Sequence, residues 1–260
     1  VAFFSPHDDD GILGAGYLMR ACIEASVPIH LYIFCDGRAG YSNPEEKDGI
    51  IERRKAETKD AYREIGLDSD AITRFDFPDF SLMSRIGWEL PGGDEGTFAR
   101  TIPALRKWGA TRLVIPNHYR EHIDHEATGK VGCYDAPQVG DPIVAEWGSS
   151  LGIKTVLQYA VWGDFSPEEA LLNGAGPIRA NRTVRADASV ETVMEAGLRR
   201  YESQASIIEN LVQRRKQRLR AGAAIELYLD IDPRPALNYA PYWDIVERID
   251  KDNLKQEERR

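Results

Sequence analysis

The 260-residue chain holds five histidines, and four of them fall in two short segments. The first segment is Ser5-Pro6-His7-Asp8-Asp9-Asp10-Gly11; the second is Asn117-His118-Tyr119-Arg120-Glu121-His122-Ile123-Asp124-His125. His7 and Asp10 stand three apart at the entrance of a helical pattern, so they share a face. Joined by one histidine of the second segment, they make two imidazoles and one carboxylate. Three protein ligands of that kind leave a fourth position for water on a catalytic zinc ion. Zinc lowers the pKa of that water from about 15.7 toward roughly 7. Asp9 lies beside these ligands, where it could take the water proton as general base. In the second segment one of His122 and His125 can bind metal while the other faces substrate. Asp124 between them could orient a ring and favour its protonated form. The same donor set also suits Fe(II), which is retained as an alternative ion. Plainer roles exist: Asp9, Asp10 or Asp124 could cap a helix, and a loop histidine is usually solvated. Two clusters with complementary ligands weigh against those roles.

The elements that must position the clusters follow from hydrophobic periodicity. Apolar runs at Val1–Ser5, Ile29–Cys35, Ala71–Phe77, Leu113–Ile115 and Thr155–Trp162 read as strands. Helical spacing covers Gly11–Ser26, Glu46–Ile65, Thr97–Trp108, Asp124–Val131, Ser189–Gln204 and Ala205–Arg220. Pro103 marks a kink or a late start in the third of these. Ala224–Ile231 reads as a late strand, and Lys251–Arg260 as a solvated helix end. Strand–helix alternation predicts an α/β fold: a three-layer αβα arrangement on a mainly parallel, Rossmann-like sheet. One domain is expected over residues 1–260, with a motif-bearing core at 1–135 and a variable substrate wall and C-terminal helices at 136–260. Both histidine clusters follow strands, so both belong on the carboxyl edge of the sheet, where open α/β sheets bind ligands.

Composition narrows the class. With 42% hydrophobic and 29% charged residues the chain is of ordinary globular type. A net charge of −9 opposes a nonspecific nucleic-acid binder. No apolar run reaches the roughly 18–20 residues of a membrane span. Three scattered cysteines without a CxxC fit a reducing, cytoplasmic setting rather than a disulfide scaffold. Val1–Ser5 reads as a strand, not as a targeting segment. Gly11, Gly14 and Gly16 follow a strand, but their order is GxxGxG and the loop before them is acidic, which repels phosphate. The basic residues Arg214, Arg215, Lys216, Arg218 and Arg220 read as a solvated helix face. Tyr228, Tyr239, Tyr242 and Trp243 read as core or sheet-packing residues, and His30 as structural.

The order of these motifs resembles that of the PIG-L or LmbE-like deacetylases, zinc enzymes that remove acetyl groups from N-acetylglucosamine-type sugars. His7-Asp8-Asp9-Asp10-Gly11 is similar to the family's His-Pro-Asp-Asp-Glu, and His122-Ile123-Asp124-His125 to its His-Pro-Asp-His. Asp36-Gly37 resembles the loop after the family's second strand. Arg54, Glu57, Ala61 and Ile65-Gly66 resemble its second helix, Phe77-Pro78-Asp79 an acidic loop, and Ser203-Gln204 a late pair. The resemblance implies that His7, Asp10 and His125 bind zinc, that Asp9 is the general base, and that His122, tuned by Asp124, stabilises the oxyanion or protonates the leaving amine. It also implies substrate contacts from Arg54 and Asp79 and from the loop of Asp36. For Arg54 the alternative is an exposed arginine paired with Glu57; for Asp79 it is loop capping. The implied substrate is a small N-acetylated sugar or sugar conjugate, and a homo-oligomer is compatible with the chain. The alternatives are hydrolysis of a non-sugar amide, or a homologue that only binds metal or sugar. Two positions depart from the pattern: Asp8 replaces the proline, and Gly11 replaces the glutamate. Asp8 could compete as a ligand or point away.

Overall fold

β1 (Ala2–Ser5) carries the four residues AFFS, all buried, and such a strand needs neighbours on both edges. It finds them in β2 (His30–Cys35) and β4 (Arg112–Pro116), both parallel to it. β3 (Ile72–Phe77) lies outside β2, and β5 (Thr155–Tyr159) outside β4, again parallel. The structure, a computed structural model, describes residues 1–172 and 178–257. Beyond β5 the direction reverses. β8 (Ala223–Ile231) is antiparallel to β5, to β6 (Arg182–Asp187) and to the two-residue β7 (Leu219–Arg220). The strand order is β3-β2-β1-β4-β5-β8-β6, with β7 also on β8.

Helices cover both faces, as expected from the alternation. One apolar layer joins α1 (Asp10–Glu24), α2 (Ile50–Glu64), α6 (Ala188–Leu198) and α7 (Ala205–Arg215) to the sheet through residues such as Ile12, Tyr62, Met194 and Leu211. The other joins α3 (Thr97–Trp108) and α4 (Ile123–Lys130) through Ile102, Leu105 and Ala127. α3 keeps Pro103 inside it. Two further helices, α5 (Pro167–Leu172) and α8 (Ala240–Glu257), complete the described elements.

Several boundaries differ from the periodicity. The second helix begins at Ile50, not Glu46, because Gly49 takes φ +98° and separates it from a short turn at Pro44–Glu46. α6 ends at Leu198 and α7 at Arg215, and Leu219–Arg220 pairs with β8 instead of extending a helix. β5 stops at Tyr159. β6 was not legible as a strand: it is an edge strand, mostly exposed, and carries Arg182 and Arg185. The aromatics separate. Tyr228 is buried at 1% exposure, but Tyr239, Tyr242 and Trp243 are 60–63% exposed beside or on α8, so they are not core. Among the described residues no helix is long and apolar enough to cross a membrane. Residues 258–260 of the predicted charged tail lie outside the described residues.

α1 is broken at Ala15, whose backbone (φ −136°, ψ 18°) leaves the helical region. A break exposes carbonyls on one side and N–H groups on the other. Here Arg215 donates to the Ile12 and Leu13 carbonyls at 3.2 and 2.6 Å, and Arg218 donates to Leu13 at 2.7 Å. Glu226 accepts from the Tyr17 and Leu18 N–H groups at 3.1 and 3.2 Å. Cations thus meet the carbonyl end and an anion meets the amide end, as the helix dipole requires. This corrects the solvated-face reading for two of the five basic residues: Arg215 is 4% exposed and is held by Glu191 at 2.7 Å, and Arg218 pairs with Glu226 at 3.1 Å, while Arg214, Lys216 and Arg220 are exposed as expected.

Candidate active site

β1 is followed in sequence by β2 on one side, and the chain later returns with β4 on the other, so a crevice opens at their carboxyl ends. The two histidine clusters meet there. Ser5 begins the turn: its hydroxyl donates to the His7 carbonyl at 2.6 Å and accepts from Gly11 N–H at 2.9 Å. The His7 N–H donates to Asp10 Oδ2 at 2.9 Å, which fixes the carboxylate at the mouth of α1. Asp10 Oδ2 then lies 3.0 Å from His7 Nδ1 and 3.0 Å from His125 Nε2. These three donor atoms lie within 4.8 Å of one another. Two neutral nitrogens and one carboxylate oxygen fit a borderline divalent cation such as zinc. Burial alone would lower the His7 pKa, but Asp10 and Asp124 raise it well above the usual value. Burial likewise opposes the charge on His125, yet Asp10 and Glu121 hold it up at about 9. Against burial, His125 and His7 keep the Asp10 carboxyl well below its ordinary range.

Glu121 is a member of the site that sequence reasoning missed. Its side chain is fully buried, and its Oε2 lies 3.3 Å from His125 Nδ1. The carboxylate is itself fixed by the N–H groups of Val161 (3.0 Å), Trp162 (2.9 Å) and Gly163 (3.0 Å). A carboxylate behind a ligating imidazole sets its tautomer and raises its basicity. The available signal was spacing: Glu121 stands four residues before His125, one turn away.

His122 and Asp124 flank the cluster. Asp124 is fully buried and accepts from Phe80 N–H (2.7 Å), Leu82 N–H (3.3 Å) and His7 Nε2 (3.2 Å). It thus orients His7 more closely than His122, whose Nδ1 is 3.7 Å away. The Asp124 N–H donates to His122 Nδ1 at 3.2 Å, which leaves the proton of the neutral ring on Nε2. Burial and the His7 charge lower the His122 pKa, outweighing Asp124, so the expected bias toward its protonated form is not found. The rings of His7 and Phe80 lie 5.0 and 4.5 Å from that of His122. Phe80, 65% exposed and at φ +59°, is a wall residue that the sequence did not single out.

Asp9 caps the entrance of α1 without a side-chain cap bond, and its Oδ1 lies 3.3 Å from Arg54 Nη2. Burial raises its pKa, helped by Asp10 and Asp8 and opposed by Arg54. Asp8 points away from the His7–Asp10–His125 cluster. Its carboxylate is fully buried and meets Arg54 Nε (3.2 Å), Thr58 Oγ1 (2.7 Å) and Arg74 Nη1. The charge that replaces the proline is therefore matched by Arg74 on β3. Gly11 also has a local cause, because a β-carbon there would collide with the Tyr62 hydroxyl. Arg54 is 3% exposed, with Tyr201 stacked 4.8 Å from its guanidinium and Nη1 left without a partner; its neighbour Arg53 is the one that pairs with Glu57.

The remaining candidates shape the rim. The Asp79 carboxylate accepts from Gly37 and Ala39 N–H at 2.9 and 2.8 Å, tying two loops together. Asp36 accepts from the Arg38 N–H and Nε at 3.0 and 2.7 Å. Glu57 holds Ser203 through its N–H (2.9 Å) and hydroxyl (2.6 Å), and Gln204 donates to the Gly40 carbonyl. His118 lies off the cluster, 3.4 Å from Gln158 Nε2, and His30 pairs with Thr73 at 2.8 Å. Cys35 ends β2, with its sulfur within 4.8 Å of a His7 ring nitrogen. Burial pushes its thiol up to about 12.

The sequence matches the PIG-L family, described as GlcNAc-PI de-N-acetylase, over residues 2–133, a span that contains every residue of the cluster. No curated protein matches the chain. Among solved structures the fold is similar to a conserved protein from Thermus thermophilus, at 19% identity over 92% of this chain and 97% of that one, with a TM-score of 0.67. It is also similar to N,N'-diacetylchitobiose deacetylase from Pyrococcus horikoshii, at 15% identity over 89% and 83%, with a TM-score of 0.66. The same holds for GalB, the 4-carboxy-2-hydroxymuconate hydratase of Pseudomonas putida KT2440, at 16% identity over 92% and 98%, with a TM-score of 0.65. At these identities the likeness establishes the fold, and the family match then places the cluster: this chain belongs to the PIG-L family.

Proposed function

We propose that the chain is a metal-dependent hydrolase that removes an acetyl group from an N-acetylated sugar or sugar conjugate. The convergence of His7, Asp10 and His125, with Asp9 beside them, carries this reading. A divalent cation held by those three residues, zinc or alternatively iron, would supply a water acidic enough to give hydroxide near neutral pH. Asp9 accepts the proton of the attacking water. His122 presents Nε2–H to the oxygen that becomes negative as the carbonyl turns tetrahedral. Asp9 then returns its proton to the departing amine, so no proton is lost to solvent in the step. Arg54, partly unpaired next to Asp9, would hold a polar group of the substrate, with Asp79 and Asp36 on the adjoining loops. An open hollow of about 710 Å³, lined by Arg38, Tyr41, Lys47 and Asp79 among others, adjoins these loops; the cluster residues do not line it.

Metal analysis of the wild type beside His125→Ala, with acetate release from N-acetylglucosamine on the same samples, tests this. An ion at the His7–Asp10–His125 cluster that the variant loses, together with acetate release, is the expected outcome. Metal without acetate from this or other N-acetyl sugars would overturn the sugar assignment and leave a non-sugar amide as substrate. No metal and no turnover would leave a homologue that binds only sugar. Asp9→Asn that keeps its metal and its full rate would remove the base assignment; a fall of about 10²–10⁴-fold is expected.

A further inference from the structure

His7 has two ring nitrogens, and each faces a different donor set. Nδ1 meets Asp10 in the cluster above; Nε2 points the other way, 3.2 Å from Asp124 Oδ2. The Cys35 sulfur completes a second group: donor atoms of His7, Cys35 and Asp124 lie within 4.8 Å of one another. We propose that His7 Nε2, Cys35 Sγ and Asp124 form a second metal site, selective for thiophilic divalent ions and sharing His7 with the first.

Three features support it. The 3.2 Å between Nε2 and Oδ2 suits two donors each about 2.0–2.2 Å from one ion at a near-tetrahedral angle. The donors are pre-positioned by backbone. Phe80 and Leu82 N–H groups hold Asp124, while Cys35 bonds the Pro6 carbonyl through its N–H and Arg74 through its carbonyl. Finally, the chemistry differs from the first site. A sulfur ligand shifts preference toward zinc and cadmium and away from magnesium or calcium. A core cysteine hydrogen-bonded to a histidine would need none of this, and the test separates the two.

Filling the site forms a metal–sulfur bond to Cys35, a metal–nitrogen bond to His7 Nε2 and a metal–oxygen bond to Asp124. The Cys35 S–H proton and the remaining His7 ring proton leave to solvent, so His7 becomes an imidazolate bridge between the two ions. Asp124 is drawn off its orienting contact at the same time. The consequence for turnover rests on the function proposed above: excess zinc would slow the enzyme as the second site fills.

Cobalt(II) titration of chelator-treated protein reads the binding itself. The wild type should take up two ions per chain, and the second should bring a thiolate-to-cobalt charge-transfer absorption in the near ultraviolet. Cys35→Ser and Cys35→Ala should each bind one ion without that absorption. Cys133→Ser should keep it, and His125→Ala, which disrupts only the first site, should keep it too. Saturation of the wild type at one ion overturns the site, as does a second ion without the absorption. An absorption that survives loss of Cys35 assigns the sulfur elsewhere and also overturns it. None of these readouts needs turnover, so failure of the deacetylase reading would be seen separately, in the acetate assay.

Discussion

Replacing Asp8 by asparagine keeps the shape of the side chain and removes one buried charge. That carboxylate is fully buried between Arg54, Arg74 and Thr58. Two unit charges about 4 Å apart interact by roughly 4 kcal/mol at an effective dielectric near 20. Breaking a buried pair by removing one partner costs roughly 3–5 kcal/mol. Each guanidinium keeps a second carboxylate, Asp9 at 3.3 Å for Arg54 and Asp76 at 3.0 Å for Arg74, so the lower end applies, about 3 kcal/mol. For a chain of this length that is a fall in Tm of roughly 6–12 °C. Urea unfolding of the wild type and Asp8→Asn measures it. The double variant Asp8→Asn/Arg74→Met should lose less than the two single variants together, by more than about 0.5 kcal/mol, because the cation left unpaired is gone. The pH dependence has a fixed sign. The two arginines, against burial, depress the Asp8 pKa below 3.8. Its contribution is therefore present above that value and is lost as the pH falls through the depressed one. The stability gap between wild type and variant should persist from neutrality into mild acid and close only in strong acid. A destabilisation under about 1 kcal/mol, or additive single variants, would refute the ion cluster as the compensation for the missing proline.

Other outcomes follow from the same geometry. Glu121→Gln should weaken metal binding about 10–100-fold in a chelator competition, with the fold intact by circular dichroism. In the cation-free protein His125 titrates at about 9, so below that pH metal uptake must expel its proton; affinity measured by titration should climb with pH toward 9, and a flat profile would contradict the assignment. Phe80→Ala should raise KM for the acetylated substrate and leave kcat nearly unchanged, since the exposed ring beside His122 touches no reacting atom.

The parallel half of the sheet and the meeting of the two clusters were legible because they rest on local signals. Buried strands give apolar runs, and His7, Asp10 and His125 lie just past their ends. What escaped rests on distant partners. Asp8 gave no sign of Arg74, which lies on β3, 66 positions later. Glu121 was not singled out, because the amides of 161–163 that close around it lie about forty positions away. The buried Arg215 read as solvated because Glu191 and the carbonyls of α1 are invisible from its own helix. β6 and the exposed aromatics of α8 failed for the opposite reason: edge strands and unpacked helices do not carry the burial pattern that the reading relied on.

The interruption of α1 at Ala15 makes the boundaries of inheritance and of folding different. The family match ends at residue 133 and includes His7, Asp10 and His125, the three proposed ligands. Yet the helix that opens with Asp10 ends on carbonyls tied to Arg215 and Arg218, and resumes on amides tied to Glu226. The signature is therefore not portable. Grafted or expressed without residues 191–226, it would carry the right letters and an uncapped ligand helix. Changes in that late segment, beyond the matched span, should be felt first as weaker metal retention.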